Sequence, residues 1–462
     1  MRNSDPAMRS EWLGGEIAVV GLARSGRSAA QLLARAGSDV YASDYSRDER
    51  LEQTAVELHH DGVDVQLGGH DLERIARCKL VVASPGVPPD AAPFVAARRA
   101  GVDIVSEIEI GLRFLPSLKY IAVTGTNGKT TTTALMGHLL KALGRRAETA
   151  GNIGTPLTEL AMAKQPPEWV ALEVSSFQLH DTPSIDPEVG VLTNLSANHL
   201  DRYNSVEEYY GDKALLFRNA TAASHWVTNA DDSDVQSMTE HVTGMQCRFS
   251  VRGKSDAYYD RDKDRLCVLG HPILDRRDLP LLGDHNVANA LAAALAVMIA
   301  ERDHRGEQAL KKIGGALATF SALEHRIETA AEQGGVTWIN DSKSTTVEST
   351  RIALRGMTKP TVLLLGGKHK GAPYTDLVPE LKRTARAVIA YGEAAPLIEK
   401  DLHGVVPLTR LGSSFEDVIA AARQLAQPGD VVLLSPACSS YDMFDNYEER
   451  GREFKRLAVV SR

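Results

Sequence analysis

The chain has 462 residues, enough for two or three domains, because single hydrophobic cores stop growing at roughly 250–300 residues. Apolar residues make up 43% and charged residues 24%, with a net charge of −8: an ordinary globular balance that gives no sign of a general nucleic-acid-binding surface. The four cysteines (Cys78, Cys247, Cys267, Cys438) form no C-x-x-C and no apolar run approaches a membrane span, so they support neither a disulfide framework nor a zinc site, no transmembrane helix is expected, and a reducing cytoplasm fits best. A monomer is expected, though nothing in the sequence itself fixes the oligomeric state.

The opening segment, MRNSDPAMRSEWLGGE, lacks the apolar core of a signal peptide and is expected to be a short, poorly ordered leader. From there strand-like and helix-like segments alternate, which predicts an α/β chain with mostly parallel sheets. The first unit opens with the strand Ile17–Val20, the glycine-bearing turn Gly21–Gly26 and an Ala/Leu-rich helix through Ala36. A strand Asp39–Ala42 then ends at Asp44, and a strand Leu80–Ala83 runs into Ser84-Pro85-Gly86. The pattern is Rossmann-like, but Ala23 stands at the middle glycine of G-x-G-x-x-G. A nucleotide or sugar nucleotide therefore fits better than NAD, and an αβ turn with no ligand stays open.

The second unit carries the most informative stretch, Ile121 to Thr131, reading IAVTGTNGKTT. An apolar strand, Tyr120–Val123, ends in a loop with Gly125, Asn127 and Gly128, and a helix Thr131–Leu143 follows. Such a loop aims backbone N–H groups and a helix N-terminus at one spot, which suits a phosphate. Lys129 adds a positive charge, and the Thr130 hydroxyl can ligate Mg²⁺. The position of the first glycine of G-x-x-x-x-G-K-[ST] is Val123, so the glycines are differently spaced from that pattern.

Farther along, Glu173 ends the strand Trp169–Val174, where a carboxylate can complete a Mg²⁺ shell, and Ser175 to Gln178 follow it. His199 and Asp201 lie past the strand Val189–Thr193, at the edge where ligands bind in such sheets. Lys213, in a helical stretch Val206–Asn219, reads on its own as a solvated lysine. Asn286 and Asn289 stand one turn apart on a helix running to about Ala300, where two amides can read a base edge or simply sit on the surface.

The third unit has strands predicted at Thr337–Asn340, Thr361–Leu365, Ala387–Tyr391 and Val431–Leu434. Three polar loops follow such strands: Asn340–Thr346, Gly366–Lys370 and Ser435–Ser440. Together they read as one rim whose Lys343, Lys368, Lys370 and hydroxyls suit carboxylates and phosphates.

In order along the chain, TGTNGKTTTT, GNIG (Gly151–Gly154), LEVSSFQL, NHLDRY, DHNVANALAA, EHRIE (Glu324–Glu328), NDSKSTT and LLSPACSSYDMF resemble the signatures of the Mur ligases of peptidoglycan synthesis. The resemblance covers nearly the whole chain after about residue 15. It implies three domains: 1–107 for a uridine nucleotide, a P-loop ATPase over 108–321, and a Rossmann-like amino-acid-binding domain over 322–462. It also implies a reaction in which ATP phosphorylates a carboxylate, and an amino acid's amine attacks the acyl phosphate. The C-terminal signatures look most like those of the member that adds D-glutamate to UDP-N-acetylmuramoyl-L-alanine. L-Glutamate, another amino acid, or the folate-polyglutamylating branch of the superfamily are the alternatives.

Carried over by position, Gly125, Asn127, Gly128, Lys129, Thr130 and Thr131 match the ATP phosphate loop, with Lys129 on the γ-phosphate. Thr130 and Glu173 match one Mg²⁺ site, and His199 with a carbamylated Lys213 a second. Asn286 and Asn289 match adenine contacts, and Arg326 and Asp341 match ATP contacts of the C-terminal domain. Ser25, Asp44, Ser84, Pro85 and Gly86 match the uridine diphosphate end, with Asn152, Ser175 and Gln178 nearer the muramoyl end. Lys343, Thr345, Lys370, Ser440 and Tyr447 match the glutamate site. Two positions depart from the family pattern: Tyr447 replaces a usual phenylalanine, and Lys368 adds a cation.

Overall fold

The computed structural model describes residues 14–197, 203–321 and 324–459, and it contains three α/β domains, each built on its own sheet. The first sheet is all parallel: β1 (Ile17–Val20), β2 (Val40–Asp44), β3 (Asp64–Leu67), β4 (Leu80–Ala83) and β5 (Ile104–Ser106), in the order β3-β2-β1-β4-β5. Residues Ile17 to Val20 are wholly buried, as expected of a central parallel strand covered on both faces.

The second sheet has nine strands. β6 (Lys119–Thr124), β7 (Ala147–Gly151), β8 (Trp169–Glu173), β9 (Val189–Leu192), β10 (His225–Asn229) and β11 (Met245–Ser250) are parallel. The edge is extended by β12 (Ala257–Asp260), β13 (Arg265–Val268) and β14 (His271–Asp275), the last two antiparallel. The order is β14-β13-β12-β11-β10-β9-β6-β8-β7, so β6, which feeds the glycine loop, lies between β8 and β9. Register sets Val123 beside Glu173 and Thr124 beside Leu192, which brings the exits of all three strands to one edge.

The third sheet is β15 (Glu328–Gln333), β16 (Val336–Asn340), β17 (Thr361–Gly366), β18 (Ala385–Tyr391), β19 (Leu408–Arg410) and β20 (Val431–Leu434), in the order β15-β16-β20-β17-β18-β19. It is parallel except for the β15–β16 hairpin. The exits of β16, β20 and β17 are therefore neighbours, and these are the three exits that carry the polar loops predicted as one rim.

The chain divides into two compact units. One holds the first two sheets, up to Asp278 together with Ala288–Thr319, and the other holds Leu279–Val287 and the third sheet from Phe320 onward. No helix among the described residues is long and apolar enough to cross a membrane. The predicted strands reappear within a residue or two. The short edge strands β3, β5, β15 and β19, the strands β7, β10 and β11, and the β12–β14 extension carry no clear apolar run and were not foreseen. The stretch predicted as helix over Val206–Asn219 is helical only to Ala214, followed by a tight 3₁₀ turn, Leu215–Phe217.

Candidate active site

The loop after β6 is shaped by two glycines whose backbone disfavours any side chain. Gly125 has φ +138° and Gly128 has φ +82°; a Cβ at the first would collide with Thr193 Oγ1, and at the second with Asn289 Oδ1. Gly128 then caps the helix Lys129–Ala142 with no side-chain bond, leaving the amides of its first turn for an anion. The loop is stapled to the segment after β9. Asn194 Oδ1 accepts from Asn127 N at 2.8 Å, and Thr193 Oγ1 donates to Asn127 O at 2.7 Å. Asn194 was missed by sequence reasoning: an amide after a strand carries no signal until the neighbouring strand is known.

Lys129 folds back over this loop, donating to Gly125 O at 2.9 Å and Thr126 O at 2.8 Å. Lys213 reaches the same place from the helix Val206–Ala214, donating to Gly125 O at 2.8 Å with its ammonium 4.6 Å from the Tyr209 ring centre. Far from being solvated, Lys213 is only 1% exposed. Burial, and then the charge of Lys129, hold its pKa well below the usual lysine range, against the weaker pull of Asp212 and Glu173.

Glu173, at the end of β8, is also buried, and only one of its carboxylate oxygens is used. Oε1 accepts from Asn152 Nδ2 at 2.8 Å, while Oε2 is buried with no hydrogen-bond partner. An acceptor orphaned in this way beside a phosphate loop is what a hard cation would satisfy. Asn152, expected near the muramoyl end, is thus placed as the group that orients Glu173. Thr130 and Thr131 are buried in the first helical turn. Asn289 Oδ1 accepts from Thr132 Oγ1 at 3.3 Å, and Asn286 Nδ2 donates to Leu282 O at 2.8 Å. His199 lies outside the described residues.

In the first domain, the helix Arg24–Arg35 starts at Ala23 without a side-chain cap, beside the turn at Gly21 (φ +89°). Gly26 packs so tightly that a Cβ would collide with Gly21 O. Ser25 lies in that uncapped first turn. Asp44 holds the turn in shape: Oδ2 accepts from Leu22 N at 2.7 Å and Oδ1 from Ser46 N at 2.9 Å. Arg24 Nη1 donates to Gly154 O at 2.9 Å, linking this turn to the GNIG segment. A cleft of about 890 Å³ has Ser84, Pro85, Phe177, Gln178, Tyr203 and Asp212 in its walls, while Gly86 is exposed outside its lining. Ser175 and Gln178 form a capping box at the helix Ser176–His180, and Gln178 Nε2 is buried with no partner.

In the third domain Asp341 is fully buried, and burial pushes its carboxyl up to about 6. Its oxygens are spent locally, on Ser435 Oγ at 2.7 Å and Ile327 N at 3.3 Å. The bond to Ile327 fixes a strained segment, because His325 and Ile327 both have positive φ, +65° and +46°, and Arg326 is presented between them. Around the predicted rim, Lys370 Nζ donates to Thr345 Oγ1 at 3.1 Å, Lys343 Nζ lies 5.2 Å from the Tyr447 ring centre, and Ser440 is buried. The rim residues do come together here, and Arg450, absent from the expectations, bonds into it at 1% exposure.

Comparison with known proteins agrees with this architecture domain by domain. Residues 15–106 match the Mur ligase MurD-like N-terminal domain, 123–297 the Mur ligase middle domain, and 325–438 the Mur ligase glutamate ligase domain. The chain belongs to the Mur ligase family. Among relatives in that family, the UDP-N-acetylmuramoylalanine–D-glutamate ligase of Salinibacter ruber is 40% identical over 453 residues, covering 95% of this chain and 96% of its own. That of Acidobacterium capsulatum is 39% identical over 458 residues, covering 98% of each. Solved Mur ligases share the fold at lower identity. The UDP-N-acetylmuramate–alanine ligase MurC of Thermotoga maritima superposes with a TM-score of 0.61 at 21% identity, over 96% of this chain and 99% of that one. MurF of Thermotoga maritima, in complex with ADP, gives 0.61 at 16% identity, over 90% and 95%.

Proposed function

We propose that this chain is an ATP-dependent, ADP-forming ligase that joins D-glutamate to UDP-N-acetylmuramoyl-L-alanine in peptidoglycan precursor synthesis. The observation that carries the reading is near-complete alignment, at about 40% identity, with proteins named for that reaction. Residues 1–107 are assigned to the uridine nucleotide, 108–321 to ATP and 322–462 to the amino acid, and one chain carries the whole reaction.

A carboxylate is a poor acyl donor, so one of its oxygens must leave as phosphate. Phosphoryl transfer from ATP to the alanyl carboxylate gives an acyl phosphate and ADP. The amine of glutamate then adds to the acyl carbon, and the tetrahedral intermediate expels phosphate to leave an amide. Both steps gather negative charge, so the protein's task is positioning and electrostatic stabilisation. Lys129 is already bonded to two loop carbonyls and would exchange them for phosphate oxygens. The amides of the first helical turn and the Gly125–Gly128 curve hold the phosphate chain. Asn286, Asn289 and Arg326 are assigned to the rest of the nucleotide, with Asp341 holding the Arg326 segment.

Mg²⁺ would neutralise charge between the phosphates and the carboxylate, and the donors fit it: Glu173 has a buried free oxygen, and Thr130 brings a hydroxyl in the first turn of the helix. Two such sites are proposed, the second drawing on His199 and Lys213. Lys213 supports this because burial beside Lys129 shifts its ammonium toward the neutral amine. A neutral amine adds CO₂ and releases a proton, which turns a lysine into a carboxylate donor. Ser25, Ser84, Pro85 and Gly86 are assigned to the uridine diphosphate end, with Asp44 shaping the turn, and Gln178 to the sugar. ADP release with UDP-N-acetylmuramoyl-L-alanine, each amino acid being added or omitted in turn, tests the reading. Release that depends on D-glutamate supports it, and release indifferent to the amino acid refutes it.

A further inference from the structure

Arg450 lies on the helix Tyr447–Val459, inside the third domain. Its Nε donates to Ser342 Oγ at 2.9 Å, Nη2 to Ser342 O at 2.8 Å, and Nη1 and Nη2 each to Cys438 O at 3.2 Å. Ser342 Oγ in turn donates to Tyr447 O at 2.8 Å, closing the cluster back onto the helix. The guanidinium also abuts the turn after β17, where a Cβ on Gly367 would sit 3.2 Å from Nη1. That turn is bonded to the loop after β20 through Lys368 N to Ser439 O at 2.9 Å and Ser439 N to Lys368 O at 3.1 Å.

One buried side chain thus fastens the exits of β16 and β20 and packs on the exit of β17. Those exits carry Lys343 and Thr345, Ser440, and Lys370. A lysine cannot do this: its single ammonium lacks the planar fork that lets a guanidinium serve two loops at once. The charge matters as well. Every oxygen bonded to Arg450 is neutral, a carbonyl or a hydroxyl, and Asp442 is bonded instead to Glu393 N at 3.0 Å. At Cys438 the Arg450 charge outweighs the opposing charge of Asp442, which leaves positive potential at the rim; an incoming dicarboxylate relieves it and a neutral amino acid does not.

We infer that Arg450 is a positioning residue for the acceptor amino acid, aligning the three loops that bind it and biasing the pocket toward a dicarboxylate. The inference rests on the ligase reading above. Its test is the KM for D-glutamate, ATP and UDP-N-acetylmuramoyl-L-alanine in wild type, Arg450→Lys and Arg450→Met, with melting temperatures alongside. Arg450→Met should raise the glutamate KM about tenfold or more and leave the ATP KM nearly unchanged. Arg450→Lys keeps the charge but not the fork and should fall between. Guanidinium ion added to Arg450→Met should lower the glutamate KM again.

An unchanged glutamate KM in either folded variant overturns the inference. So does an equal rise for all three substrates, which a merely structural role would give. If Arg450→Met does not fold, Arg450→Lys decides by the same criterion. A wild type that makes no product with glutamate overturns the ligase reading itself, an outcome distinct from an active wild type with insensitive variants.

Discussion

Lys129 and Lys213 meet on one atom: both side chains donate to the carbonyl oxygen of Gly125, at 2.9 and 2.8 Å. Two ammonium groups cannot share so small a buried space without penalty, and Lys213, the more buried, is the one held toward its neutral form. The phosphate loop thus carries two lysines in unlike surroundings, Lys129 at its opening and Lys213 buried and shifted toward the neutral amine, which suits a site that must grip a phosphate and also acquire a new carboxylate.

Replacing Lys129 by alanine removes the cation and its two bonds to loop carbonyls, and leaves the apolar core residues in place. Turnover should fall by on the order of 10² or more while the melting temperature hardly moves. Steady-state kinetics and a thermal melt on the same preparation check this, and near wild-type turnover would contradict it.

Lys213→Ala should be nearly inactive, and short carboxylates such as acetate should partly restore it by supplying the missing anion. Removing CO₂ should slow the wild type and leave the acetate-rescued variant unaffected. ¹³CO₂ NMR during turnover reads the modification directly; a free amine throughout would rule it out.

Much of this was legible in the sequence. The glycine loop, Glu173, and the third-domain rim announced themselves because each follows an apolar strand, and parallel sheets put such exits on one edge. What stayed hidden depends on strand order. That Asn152 also bonds Glu173 shows only once the pairing of β7 with β8 sets the two side by side. Lys213 was marked only by the family resemblance, because a short helix with Glu207, Glu208 and Asp212 gives no local sign that its lysine points inward. Arg450 was invisible for the same reason: its partners Ser342 and Cys438 are 108 and 12 residues away in sequence.

The first two domains also carry a titrating contact. Glu107 is wholly buried, accepting from Thr158 N and Thr158 Oγ1, each at 2.7 Å, while Thr158 Oγ1 bonds Ser28 Oγ at 2.8 Å. Burial raises its carboxyl to about 7, against the opposing pull of those bonds. With the folded pKa raised above the usual 4.5, the folded chain holds a proton that the unfolded chain releases between those values. This contribution to stability is therefore full below about pH 4.5 and lost as pH rises through about 7. Glu107→Gln keeps the accepting oxygen and removes the titration. It should match wild type near about pH 4.5 and exceed it above about pH 7, by on the order of 3 kcal/mol. Denaturant melts of both proteins across that range decide, and parallel curves would contradict the burial argument.

At the acceptor rim, a lysine–carboxylate hydrogen bond is worth roughly 1.5–3 kcal/mol, so Lys370→Ala should raise the glutamate KM by about 10- to 100-fold and leave the ATP KM almost unmoved. A parallel rise in both would show that Lys370 supports the domain and does not hold the substrate.

The central claim is that one chain makes a specific amide from ATP, UDP-N-acetylmuramoyl-L-alanine and D-glutamate. Mass spectrometry of that reaction, with L-glutamate and diaminopimelate in parallel, measures it most directly. The account predicts a UDP-sugar product heavier by one glutamyl residue, formed with D-glutamate and in step with ADP. No such product, or equal product with diaminopimelate, would contradict it.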